Sequence, residues 1–277
     1  MSDAAAHDAM PLEADAAAAL LRKAKGKSFA DRVNLFVAIA SIPLFMLIWE
    51  VTSRSGVVNQ ILFPPPSVVA VALREWVASG DFLRDLASSF ARVATGFVLG
   101  SVAGVFLGLL TGRIAFFSSL FGPIFQILRP IPPIAFVPIV ILWFGLAESG
   151  KIFLIFWGVF FTVWLSTHLG VQKVDPGLIR AAQMLGTPRH RMLAEIVFLG
   201  ALPFIVIGLR TAVGISFYTL VAAELAGAFS GVFYRIALAQ QNMQTGQVLG
   251  GLVTLGLLSF LADRCFAAVA RRVVWWR

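Results

Sequence analysis

The chain has 277 residues, of which 59% are hydrophobic and only 13% are charged, and its mean hydropathy is +0.88. A soluble domain is about 45–50% apolar and about a quarter charged. This composition therefore excludes an ordinary soluble protein and indicates a polytopic membrane protein. The formal net charge is +8, and the basic residues are concentrated at the chain ends and in short connecting segments. That distribution favours the cytoplasmic face of a membrane and argues against nucleic-acid binding.

Recurring apolar runs predict an all-α fold with six transmembrane helices, because a helix needs about 20 residues to cross a bilayer. The expected spans lie at residues 33–49, 93–111, 131–144, 152–170, 202–226 and 248–261. A basic segment precedes the first span, which places the amino terminus in the cytoplasm, and six crossings return the carboxyl terminus there. The predicted divisions are a polar and basic segment (1–32), a first helix with its outer turn (33–60) and a main transmembrane domain (61–277).

Two amphipathic stretches are predicted between the first and second spans. Ser67 is the expected N-cap of a helix that runs to about Ala78, with Arg74 and Glu75 on its polar side. A second stretch, residues 81–92, leads into the second span.

The second span carries a glycine at every fourth position. These residues are Gly96, Gly100, Gly104, Gly108 and Gly112. Residues four apart lie on one face of a helix, and small residues there let another helix approach closely. The stripe therefore predicts a helix-packing face and not a ligand site.

The run Arg129-Pro130-Ile131-Pro132-Pro133 interrupts the apolar region around the third span. Three prolines in four residues cannot continue an α-helix. Either residues 116–128 lie along the membrane interface and a short span starts near Ile131, or one long span is broken midway. The first arrangement is favoured because it leaves Arg129 at the membrane surface and out of the hydrocarbon.

A polar and basic segment, residues 172–198, separates the fourth and fifth spans and is expected in the cytoplasm. Asp175 and Pro176 predict the start of a short helix, as its N-cap and first-turn residue. Gly186 predicts its end, and a second helix is expected over residues 189–197. A segment of this length among otherwise short connections indicates a functional role.

This segment resembles the E-A-A loop of the permease subunits of binding-protein-dependent ABC importers. In that loop Glu-Ala-Ala is followed after three residues by Gly, and nine residues later by Ile-x-Leu-Pro. Here Arg180-Ala181-Ala182, Gly186 and Ile196 fall in register. The chain departs from the pattern where Arg180 replaces the glutamate and where Phe198-Leu199 replaces Leu-Pro.

Further motifs between residues 62 and 277 resemble the nitrate/sulfonate/taurine-type branch of these permeases. They are Phe63-Pro64-Pro65-Pro66, Arg129-Pro130-Ile131-Pro132-Pro133, Ile141-Leu142-Trp143-Phe144-Gly145, Val174-Asp175-Pro176 and Ala222-Ala223-Glu224. The signal is specific because several motifs occur in order at the spacing of the predicted spans. One departure is Gly231-Val232-Phe233-Tyr234, where relatives commonly have Gly-Leu-Gly-Tyr.

The resemblance implies the MetI-like ABC importer permease fold and a set of partners. Two permease copies would pair around the pathway in the inner membrane, and a periplasmic substrate-binding protein would deliver a small solute, which in this branch is commonly an anion. The helix around residues 181–186 would be the coupling helix that docks on an ABC ATPase subunit. The residues assigned to this docking are Arg180, Ala181, Ala182, Leu185, Gly186 and Thr187.

Residues of the fifth span are the candidates for the translocation pathway. An ionisable residue in a span usually faces the bundle interior or water, which makes Glu224 a candidate together with Ser216 and Thr219. The alternative is that Glu224 lies at the outer interface and pairs with a neighbour such as Arg235. Arg210 either reaches the inner membrane surface or faces the pathway, where it would favour an anionic solute.

No catalytic, metal or cofactor site is predicted, so the chain is not expected to be an enzyme. Gly26-Lys27-Ser28 matches only the tail of a phosphate-binding loop, with Leu21 at the position of the required first glycine. ATP would therefore be bound by the partner ATPase. The alternative function is an ion-gradient-driven secondary transporter, but such proteins usually contain internal repeats and none is evident.

Overall fold

The computed structural model describes residues 34, 36, 37 and 40–273, and these are predominantly helical with no strand among them. The chain divides into two compact units, one ending at Val68 and the other beginning at Val69. The first unit contains helix α1, whose continuous described part covers residues 40–54. The predicted first span (33–49) lies partly outside the described residues.

Helix α2, Pro66–Ala78, begins one residue before its predicted cap, Ser67. Ser67 therefore lies in the first turn and is not the N-cap. The carboxylate of Glu50 takes over the capping role, accepting hydrogen bonds from the Ser67 backbone N–H at 3.1 Å and its hydroxyl at 2.8 Å. A negative charge is favourable at this position because the first N–H groups of a helix have no partner within the helix.

Among the described residues, the second unit contains most of α2 and nine further α-helices. They are α3 (Asp81–Arg113), α4 (Ala115–Leu128), α5 (Val137–Phe144), α6 (Glu148–Gln172), α7 (Pro176–Met184), α8 (Arg189–Arg191), α9 (Leu199–Leu225), α10 (Val232–Gln241) and α11 (Thr245–Val273). A 3₁₀ turn, Pro133–Phe136, precedes α5, and a π-helical segment, Met192–Phe198, precedes α9.

Four of the described helical stretches are long and apolar enough to cross a membrane. They cover Asp81–Arg113, Glu148–Gln172, Met192–Leu225 and Thr245–Arg272. A fifth crossing is formed if α4 and the stretch Pro133–Phe144 make one bent span. The remaining predicted span, 33–49, lies partly outside the described residues, so the count of six stays a prediction.

The predicted break after residue 128 is confirmed. Helix α4 ends at Leu128, and the stretch Pro133–Phe144 continues at an angle of 87° to it. Pro130, Pro132 and Pro133 supply no backbone N–H, so the hydrogen-bond ladder of a helix cannot run through them. The angle excludes a straight span, while a broken span and a re-entrant loop both fit it.

The segment after α7 is shorter than predicted. The sequence predicts a separate helix over residues 189–197 within a loop that ends at 198, but Met192–Leu225 is one continuous apolar stretch of 34 residues. The π-helical turns at Met192–Phe198 join it to α9 without a break. Such turns keep the backbone hydrogen-bonded while they shift the register of the helix face.

The glycine stripe of α3 packs against α6, as predicted. A methyl group added at any of the five glycines would lie between 2.5 and 2.9 Å from its nearest α6 atom. At Gly104 the nearest atoms include the Phe160 carbonyl oxygen and the Val163 side chain. The two helices therefore approach nearly backbone to backbone, at a distance that no larger side chain permits.

We predict that Gly104→Ala destabilises the protein by about 1–3 kcal/mol, because the added methyl group must separate α3 from α6. The control is Gly256→Ala in α11, where nothing lies within 4 Å of the added group. Thermal unfolding of the two purified variants in detergent checks this. Equal Tm values for both variants would contradict the packing shown here.

Candidate functional site

Both ends of helix α7 are defined by capping and turn residues that can be recognised in the sequence. The Asp175 side chain accepts a hydrogen bond from the Gly177 backbone N–H at 2.7 Å, which caps the helix as predicted. Pro176 occupies its first turn. Gly186 has a φ of +72°, a left-handed conformation that ends the helix and that glycine adopts without strain.

The predicted docking residues lie on different faces of α7 and the turn after it. Ala182 is buried against the rest of the unit, and its carbonyl accepts a hydrogen bond from the Thr187 N–H at 3.0 Å. Arg180, Ala181 and Gly186 are exposed. The Arg180 guanidinium bonds back to the Pro176 carbonyl at 3.3 Å and has no acidic partner among the described residues.

Two large apolar side chains project from the end of α7. Met184 is 89% exposed and Leu185 is 85% exposed, which makes them the most exposed large hydrophobic residues of the described chain. The family resemblance predicts Leu185 as a docking residue but does not include Met184. The feature that could have identified Met184 is an apolar residue directly before the turn. Exposed apolar side chains of this kind, on a rigid and capped turn, are typical anchors for a partner protein.

A cavity of about 450 Å³ lies where α6 and α9 face the break after α4. The close approach of Gly158 to Thr219 joins the two helices at its wall, since a methyl group at Gly158 would be 2.6 Å from the Thr219 side chain. The polar side chains that line the cavity are Arg129, Trp157, Thr162, Ser166, Thr211, Tyr218 and Thr219. No Asp or Glu lines it.

A second cavity, of about 590 Å³, lies closer to the end of α6 that leads to α7. Its polar lining residues are Ser118, Ser119, Gln126, Arg129, Trp164 and His168. Arg129 is the polar side chain common to both cavities. A water-filled cavity lined by polar groups at membrane depth is the usual form of a transport pathway.

Of the four predicted pathway residues, the structure places only Thr219 at the first cavity. Ser216 lines a different, apolar pocket between α3, α9 and α11, next to Phe97 and Phe217. Arg210 lines neither cavity. Its guanidinium pairs with the two carboxylate oxygens of Asp263, each at 3.0 Å. Whether Arg210 faces the pathway or reaches the inner membrane surface stays a prediction.

Glu224 also lines neither cavity. It does not pair with Arg235, the neighbour named as its alternative partner. Its carboxylate is completely buried and pairs with Arg92 of α3 at 2.9 Å. It also accepts hydrogen bonds from the Ser89 hydroxyl at 2.6 Å and from the backbone N–H groups of Phe233 and Tyr234 at 2.8 and 3.2 Å. Glu224 therefore caps the start of α10 and joins it to α3 and α9.

Arg92 connects this carboxylate to a third helix. Its guanidinium makes two hydrogen bonds to Glu148 of α6, at 2.7 and 2.9 Å, and a third to the Ser230 carbonyl at 2.6 Å. Lys151 adds a contact to Glu148 at 3.0 Å. Because Arg92, Glu148 and Glu224 lie on three helices far apart in sequence, no local pattern predicts that Arg92 pairs with the two carboxylates.

A second pair extends the cluster on the side of α2. The Asp85 carboxylate accepts hydrogen bonds from Trp76 at 3.1 Å and from the Gly231 N–H at 3.0 Å. Arg235 lies between Asp85 at 3.1 Å and Asp81 at 2.7 Å. Partial burial disfavours the charge of Arg235, but the two carboxylates outweigh it and raise the pKa of the guanidinium above its ordinary value.

The comparisons with known proteins agree with this architecture. The family described as "Binding-protein-dependent transport system inner membrane component" matches residues 96–275. The chain belongs to this family. It is an ABC importer permease, a membrane transport component and not itself an enzyme.

Curated relatives place the chain in the sulfonate/taurine/bicarbonate branch of the family. The putative aliphatic sulfonates transport permease protein SsuC of Bacillus subtilis is 35% identical over 84% of this chain and 85% of its own. The taurine transport system permease protein TauC of Escherichia coli is 31% identical over 87% and 89%. The bicarbonate transport system permease protein CmpB of Synechococcus elongatus is 28% identical over 87% and 90%.

Two solved structures have a similar fold. An amino acid ABC transporter, crystallised with histidines, matches with a TM-score of 0.58 at 15% identity, over 72% of this chain and 97% of its own. The MetNI methionine ABC transporter, in an inward-facing form, matches with a TM-score of 0.50 at 23% identity, over 71% and 97%. At these identities the likeness concerns the fold alone, and it confirms the predicted MetI-like permease fold.

We predict that Glu224→Gln lowers the Tm of the purified permease even when no solute is present. The variant leaves the buried Arg92 guanidinium with one carboxylate fewer, and breaking a buried pair costs about 3–5 kcal/mol. Differential scanning fluorimetry in detergent measures the change. The control is Asp263→Asn, which breaks the exposed pair with Arg210 and should cost under about 1 kcal/mol. A Glu224→Gln variant as stable as Asp263→Asn would contradict a structural role for this cluster.

Proposed function

We propose that this permease moves a small anion across the inner membrane by alternating access, driven by ATPase subunits that dock on α7. A second copy of the permease completes the pathway, and a periplasmic binding protein delivers the solute. Both termini are cytoplasmic, as the basic flanks of the predicted spans indicate. The chain carries no cofactor, since ATP is bound by the ATPase.

The observation that supports the docking is the exposed apolar pair Met184 and Leu185 at the end of a capped helix. A hydrophobic anchor on a rigid element transmits force better than one on a mobile loop, because its backbone hydrogen bonds and cap fix its position. The small residues of α7 leave its backbone close to the surface that the ATPase would contact. Arg180 in place of the glutamate indicates that the matching ATPase surface differs in charge.

The names of the relatives and the cavity together support an anionic solute. The relatives carry sulfonate, taurine and bicarbonate in their names. The first cavity has one cationic side chain and no acidic one. These two facts are independent, because one comes from sequence comparison and the other from the positions of side chains.

An ion-gradient-driven mechanism is less well supported. Proton or sodium coupling usually depends on carboxylates that face a pathway. Among the described residues, the acids buried in the spans, Asp85 and Glu224, are paired with arginines and away from the first cavity.

We predict that Leu185→Asp reduces the amount of ATPase retained by the permease about tenfold or more. The reason is that loss of an apolar anchor that is buried in an interface costs about 2 kcal/mol or more of binding free energy. The permease is purified by its tag after co-expression with the ATPase subunit of its transporter, and the retained ATPase is quantified.

The control for this experiment is Phe229→Asp, which changes an equally apolar side chain, 72% exposed, in the loop before α10. It should retain the ATPase at the wild-type level. If Leu185→Asp retains as much ATPase as Phe229→Asp, α7 is not the docking site and the proposed function fails.

A further inference from the structure

Arg129 occupies an unusual position for a cation in a membrane protein. It follows directly on α4, at the break where the chain turns by 87°. Its side chain is exposed and makes no hydrogen bond or ion pair with any residue that the structure describes. It lines both cavities.

Two arginines elsewhere in the spans are paired with carboxylates. Arg92 pairs with Glu148 and Glu224, and Arg210 pairs with Asp263. Arg129 differs because neither of its two cavities is lined by an Asp or Glu. The electrostatic potential at this point is therefore positive, and low-dielectric walls around a cavity strengthen such a field.

Two further hydrogen-bond donors in the first cavity lack partners. The Tyr218 side chain is 68% exposed and its hydroxyl bonds to no described residue. The indole nitrogen of Trp157 is buried without a hydrogen-bond partner. The hydroxyls of Thr162, Ser166 and Thr211 already donate to backbone carbonyls of their own helices. The exposed free donors of the wall are therefore those of Arg129 and Tyr218, because the Trp157 nitrogen is buried.

We propose that Arg129 selects oxyanions in the translocation pathway, by binding the anionic group of the solute as it passes between the two cavities. A guanidinium presents N–H donors in a planar fork that matches two oxygens of a sulfonate, carboxylate or similar group. The aromatic walls at Trp157 and Tyr218 accommodate the uncharged part of the solute. This inference rests on the proposed function, since it assumes that the cavities belong to the pathway.

Modification of a cysteine in the first cavity by charged thiol reagents tests the proposal without knowledge of the natural solute. Thr211→Cys is introduced into a Cys265→Ser background, because Cys265 is the chain's single native cysteine. The purified complex with its ATPase is treated with two methanethiosulfonate reagents of similar size, one carrying a sulfonate and one a trimethylammonium group. The measured quantity is the ratio of their modification rates, anionic over cationic.

We predict that adding Arg129→Gln lowers this ratio about tenfold, because a nearby unit charge acts on the two reagents in opposite directions. Arg129→Lys should keep the ratio close to its original value, since it keeps the charge. Arg210→Gln also removes a guanidinium, but one that is paired outside the cavity, and should leave the ratio unchanged. Thr162→Cys provides a second labelling position with the same expectation.

An unchanged ratio in Arg129→Gln would overturn the proposal and leave Arg129 as a surface cation neutralised by lipid headgroups or solvent. Failure of both reagents to modify either cysteine would also overturn it, because the cavity would then be closed to water-soluble ions. Retention of the ATPase by these variants is measured in parallel. Normal retention with an unchanged ratio would reject the role of Arg129 while the proposed function stands.

Discussion

The close contact between α3 and α6 is the constraint on which the rest of this permease depends. Five glycines remove every side chain from one face of α3, so that α6 packs directly against its backbone. In a bilayer this close packing is a main source of helix association, since lipid is as apolar as the side chains it replaces. The ion cluster around Arg92 and Glu224 then fixes the same helix pair to α9 and α10 at one end. The result is a rigid frame on which the cavities and α7 are placed.

The functional features lie on this frame in a consistent order. Helix α7 follows α6 after the short connection 173–175, and the second cavity lies beside the last turns of α6. Movement of α7 would thus reach the cavity wall across this short connection and along α6. The neutralised charges lie within the frame, and the unpaired charge of Arg129 lies at the cavities. This separation fits a protein in which buried ion pairs provide structure and a free cation meets the solute.

Sequence reasoning succeeded where the signal is local. The four-residue spacing of the glycines, the proline-rich break at residue 129 and the cap formed by Asp175 each depend on neighbours within a few positions, and the structure confirms all three. It failed where partners are distant in the chain. The sequence predicts that Glu224 lines the pathway or pairs with a neighbour such as Arg235, whereas its partner is Arg92, 132 positions away. The ion pair between Arg210 and Asp263, which are 53 positions apart, is likewise not predictable from a local sequence pattern.

We expect an ATPase bound at α7 to change access to the cavity that contains Arg129. The most direct measurement is the rate at which a thiol reagent, added from one side of proteoliposomes, modifies a cysteine at Ser166 in that cavity. Transition between outward- and inward-open states predicts that this rate differs about tenfold or more between the nucleotide-free complex and the complex trapped with ATP and vanadate. Equal rates in the two states, in a complex that hydrolyses ATP, would contradict the account.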